Sequence, residues 1–86
     1  MRMSMVRKML KEADNGIWGK ITVIKRNGLT VCREDIGSPR NSNLKLDMFH
    51  SFVKRTLDVG SLKAEIYSGH KGIYSNWWVE ITLNEG

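Results

Sequence analysis

Met5, Val6, Met9, Leu10 and Ala13 recur at helical spacing with Arg7, Lys8, Lys11 and Glu12 between them, which predicts an amphipathic helix over residues 3–13. Asn15-Gly16 supplies its stop, because glycine is favoured just past a helix end. From Ile17 to Lys25 the pattern changes to β-branched residues in near alternation. Asn27-Gly28 follows, and then a second run that begins Leu29-Thr30-Val31-Cys32. Asn-Gly between two such runs predicts a β-hairpin. A two-residue turn would pair Ile24 with Val31 and Val23 with Cys32, whereas a three-residue loop with a bulge at Gly28 would shift the partner by one and reverse its faces.

Residues 37–43 contain Gly, Ser, Pro and Asn and are predicted to be a loop. Met48, Phe49, Phe52, Val53 and Leu57 then share one stripe, with His50, Ser51, Lys54 and Arg55 elsewhere, which predicts a second amphipathic helix. Asn43 or Asp47 is placed to cap its start, and Gly60 lies just beyond its end. Leu62, Ala64 and Ile66 alternate with Lys63, Glu65 and Tyr67. After a predicted loop over 68–76, Trp77, Val79, Ile81 and Leu83 alternate with Trp78, Glu80 and Thr82.

The resulting order is α-β-β-α-β-β, an α+β domain in which a helix plus hairpin occurs twice. It predicts a four-stranded antiparallel sheet with two helices on one face, a circular permutation of the ferredoxin-like arrangement. The strands near 29–36 and 77–83 would be central, and those near 17–25 and 61–67 would be edges. The rivals are two separately packed αββ halves, or a sheet completed in a homodimer, since a core this small is marginal alone.

A length of 86 residues allows one core, so residues 1–86 are read as a single small domain. Hydrophobic residues at 41% and charged residues at 27% exclude extended disorder. No apolar run is long enough to span a bilayer, and Arg2, Arg7, Lys8 and Lys11 interrupt the Met-rich start. The expectation is a cytoplasmic protein without a membrane partner. Cys32 is the lone cysteine and sits in an apolar strand, where it reads as a small buried hydrophobe.

Charge changes the picture more. The formal net charge is +5, and residues 1–43 hold nine Lys/Arg against four Asp/Glu while residues 44–86 hold five of each. A basic face of this kind attracts an acidic partner. Catalysis is not expected. His50 and His70 have no Cys, Asp or Glu neighbours at metal-ligand spacing, and no Walker loop, dinucleotide fingerprint or nucleophile elbow is present. No cofactor or metal is implied. Gly69-His70-Lys71-Gly72 resembles the phosphate-facing loop of KH domains, but that loop joins two helices and this one joins two predicted strands.

The informative surface is the sheet face away from the helices. Strand alternation places Trp18, Lys20, Thr22, Lys63, Tyr67 and Trp78 there. Aromatic rings offer bases a stacking platform and cations neutralise phosphates, so the leading reading is a small nucleic-acid-binding module. Its expected site is Trp18, Tyr67 and Trp78 with Lys20, Arg26, Arg33, Arg40, Lys63 and Lys71. The layout is similar to that of RRM domains in fold only, because neither RNP signature occurs. The alternative is a small protein-binding inhibitor or adaptor, of the sort carried on mobile elements, that docks on a larger protein with the aromatics as anchors.

Overall fold

The computed structural model describes residues 2–58, 61–71 and 74–84; at 61, 62, 64, 66, 68–71, 74, 75 and 84 it describes the backbone alone. The elements are α1 (Met3–Ala13), β1 (Lys20–Arg26), β2 (Leu29–Asp35), α2 (Ser42–Leu57), β3 (Ser61–Lys71) and β4 (Tyr74–Asn84). Helix α1 matches its predicted span and buries Val6 and Leu10, the centre of its apolar stripe. It ends at Asp14, whose Oδ1 accepts the Gly16 N–H at 2.8 Å and so turns the chain out of the helix.

The hairpin takes the two-residue register, with Ile24 opposite Val31 and Val23 opposite Cys32. Asn27 and Gly28 both have positive φ, 53° and 79°, which is the conformation a tight hairpin turn needs to follow the twist of its strands. Helix α2 starts earlier than its apolar stripe suggests. Its N-cap is Asn41 in the left-handed region, without a side-chain cap, so neither Asn43 nor Asp47 serves that role. Asp58 closes it, also left-handed, with its N–H donating to the Lys54 carbonyl. Gly60, the expected terminator, lies outside the described residues.

The ladders are antiparallel and run in the order β1-β2-β4-β3. On the helix side, Val23, Cys32, Val79, Ile81 and Leu83 pack against Val6, Leu10, Phe49, Phe52, Val53 and Leu57. Every buried sheet residue among the described side chains comes from β1, β2 or β4. The described side chains of β3 are Lys63, Glu65 and Tyr67; none is buried, and β3 is hydrogen-bonded to β4 alone, on the side away from β2. The expectation of a four-stranded sheet in a permuted ferredoxin-like arrangement is therefore corrected. The sheet that carries the described core is three-stranded, β1-β2-β4, and β3 is a ladder added along its outer edge. Leu62, Ala64 and Ile66, expected to face the helices, have side chains outside the described set.

Two strand boundaries also move. Residues 17–19 lie outside β1, and the predicted loop over 68–76 is mostly hairpin, since β3 pairs with β4 as far as Lys71 opposite Tyr74. Beyond the row Lys20, Asp35, Trp78 and Tyr67, only β3 and β4 continue. The loop from β2 to α2 is tied to the sheet because the N–H groups of Ile36 and Gly37 both donate to the Trp77 carbonyl, at 2.9 and 3.0 Å.

Candidate interaction surface

Strand alternation places Lys20, Thr22, Ile24 and Arg26 of β1 on the face away from the helices. The registers align them with Arg33 and Asp35 of β2, Trp78 and Glu80 of β4, and Lys63, Glu65 and Tyr67 of β3. Trp78 stands on an inner strand, in the last row that all four strands share. The Arg33 guanidinium lies 4.1 Å from its ring centroid, and the Tyr67 ring stacks nearly parallel to it at 6.0 Å and 13°. Since β2 and β3 flank β4 on opposite sides, the indole has a neighbour on each side.

Beneath this stack lies a carboxylate. Glu80 is only 2% exposed although it belongs to the face without helices. Arg26 grips it through two contacts, Nη1 to Oε1 at 2.5 Å and Nη2 to Oε2 at 3.2 Å, and the Trp78 Nε1–H donates to Oε2 at 2.8 Å. Burial works against the charged form, but the hydrogen bonds from Arg26 and Trp78 and the nearby cations outweigh it, holding the Glu80 carboxyl below the ordinary range. Two other cations are matched as well. Arg33 pairs with Asp35 at 3.0 Å, and Lys63 with Glu65 at 2.7 Å; Glu65 also accepts the Tyr67 hydroxyl. Among the described side chains, four cations thus share the face with three carboxylates, and three of the four are in ion pairs.

The structure brings Lys20, Arg26, Arg33, Lys63, Tyr67 and Trp78 together on this face, but it places two expected members, Trp18 and Arg40, elsewhere. Trp18 sits on the helix side, with its ring 5.3 Å from Phe49 and 5.1 Å from Phe52, because it precedes β1 and strand alternation does not reach it. Gly19 provides the crossing into the strand. A Cβ there would stand 3.2 Å from Glu34 Oε2, the same oxygen that accepts the Gly19 N–H at 3.1 Å. Arg40 lies in the turn before α2, off the sheet. The side chain of Lys71 is outside the described set, and its backbone, like that of Gly69 and His70, belongs to β3 rather than to a loop; Gly72 lies outside the described residues.

Sequence reasoning did not assign Asp35, Glu65 and Glu80 as the partners of these cations. A signal existed for Glu80, since it stands two residues from Trp78 in a strand and must share its face. A second feature also went unread: Ile17, Leu44 and Met48, exposed by 68, 58 and 46%, line the two clefts beside Trp18. Near them Glu34 is buried, and its carboxyl is raised by desolvation, opposed by the Gly19 N–H and the charge of Lys45. Cys32 is fully buried, and burial pushes its thiol up to about 12, which favours the neutral form within the core. No helix among the described residues is long and apolar enough to cross a membrane. No family model matches this chain, and neither a curated protein nor a solved structure matches it.

Proposed function

We propose that the chain is a small non-catalytic binding module of the cytoplasm that docks on another protein through the open sheet face, as a compact adaptor or inhibitor does. The observation that carries this reading is the stack Arg33, Trp78 and Tyr67 above the Arg26–Glu80 pair. Arg, Trp and Tyr are the residue types that anchor protein interfaces, and side chains already held in place lose little entropy on binding. The same geometry argues against the nucleic-acid reading. A base needs a ring face to stack on, and phosphates need unmatched cations, whereas Trp78 is flanked on both sides and Arg26, Arg33 and Lys63 are each paired with a carboxylate.

Affinity capture from lysate, with and without nuclease, tests the proposal. The expected result is a protein retained after nuclease treatment, lost on Trp78→Ala, and released only weakly by salt. Retention that nuclease abolishes and that salt weakens steeply, with a reduced salt slope in Lys20→Ala or Arg33→Ala, would establish nucleic acid as the partner instead.

A further inference from the structure

Strand β1 is an edge of the sheet. Its two-residue turn makes Arg26 and Leu29 the closing hydrogen-bonded pair, so the backbone groups at 20, 22, 24 and 26 point to β2 and those at 21, 23 and 25 point outward. One of these outward groups is occupied by a side chain. Arg7 of α1 reaches across and donates from Nη2 to the Val23 carbonyl at 3.1 Å, standing where the next strand would hydrogen-bond. Between α1 and this edge runs a groove of about 290 Å³, with Leu10, Ile21 and Val23 as its apolar wall and Arg7, Lys11 and Asp14 as its rim. Lys25 turns inward, its Nζ donating to Thr30 Oγ1 of β2 at 2.9 Å, so Arg7 and Lys11 supply the positive charge of this rim.

We propose that the outer edge of β1 receives an extended acidic segment of another protein by strand addition. The incoming strand pairs with the backbone at Ile21, Val23 and Lys25 and lays alternate apolar side chains into the Leu10–Ile21–Val23 groove. Its carboxylates meet Arg7 and Lys11, and Arg7 leaves the Val23 carbonyl to pair with one of them. Nucleic acid has neither a peptide ladder nor an apolar side chain to offer this edge. A second copy of the chain is disfavoured because full antiparallel self-pairing about Val23 sets Lys20 against Arg26 at both ends. The inference concerns a different surface from the Trp78 face and does not depend on it.

The test is an amide NMR titration of the full chain with a short peptide alternating Glu and Val, using a Lys-Val peptide and a single-stranded oligonucleotide as controls. The Glu-Val peptide is expected to shift the amides of Ile21, Val23 and Lys25 and slow their exchange, and the controls are not. Lys11→Gln should weaken binding about two- to fivefold at low salt. Ile21→Pro, which deletes one outward N–H without touching the β2 ladder, should abolish it. Trp78→Ala should leave it unchanged. Equal binding of the Lys-Val peptide, binding of the oligonucleotide at the same amides, shifts confined to the Trp78 face, or protection of the β1 amides through self-association without peptide would each overturn the inference.

Discussion

Arg26 and Glu80 stand 54 residues apart in the chain and meet in a two-point ion pair across the sheet, with Glu80 almost wholly buried. Removing the arginine would leave a buried carboxylate with the Trp78 indole as its remaining partner. Arg26→Ala is therefore expected to destabilise the fold by about 1–3 kcal/mol, and Glu80→Gln by less, because the amide keeps an acceptor without the buried charge. Urea unfolding of both variants and their double mutant measures the difference. Equal losses for the two single variants would contradict this account.

The two buried glutamates should act oppositely with pH. Glu80 has a lowered pKa in the fold, so its contribution is present above the unfolded value and is lost as pH falls through the folded one. Glu34 has a raised pKa, so its contribution is complete below the unfolded value and is lost as pH rises through the folded one. Relative to the parent chain, Glu34→Gln should gain stability on going from acid to neutral pH and Glu80→Gln should lose it. Thermal melting at a series of pH values reads both signs.

Trp18 and Trp78 are not equivalent. Trp18 lies against Phe49 and Phe52, so Trp18→Ala opens the end of the core and should cost about 3 kcal/mol, near the low end for such truncations because the ring is only half-buried. It should leave the open sheet face intact. Trp78→Ala should cost less stability and remove the anchor of that face. A larger drop in melting temperature for Trp78→Ala than for Trp18→Ala would reverse these roles.

Gly28 offers a clean measure of the turn. A Cβ added there meets nothing within 4 Å, so the cost of Gly28→Ala is conformational alone. Forcing alanine to a φ near 79° should destabilise the hairpin by about 1–2 kcal/mol, with the Ile24–Val31 pairing retained. Chemical denaturation gives the energy, and cross-strand contacts between Ile24 and Val31 report the register.

Much of this molecule is written in local periods. The spacing of Val6 and Leu10 within α1, and of Phe49, Phe52 and Val53 within α2, identifies each buried stripe, because a helix repeats its faces without reference to the rest of the chain. Asn27-Gly28 marks the hairpin in the same local way, although two registers stayed open to it until the β1–β2 ladder chose the two-residue turn. Tertiary structure decided what those periods do not contain. Trp18 faces the helices because β1 begins only after Gly19, a boundary set by ladder pairing and by the Glu34 carboxylate rather than by alternation. Likewise Arg26 meets Glu80, and Arg33 meets Trp78, through the order in which strands distant in sequence come to lie side by side. A period fixes which face a residue shares with its near neighbours, but the partner it finds across the sheet depends on long-range pairing, and that pairing turned a row of cations into a nearly neutral, aromatic-centred surface.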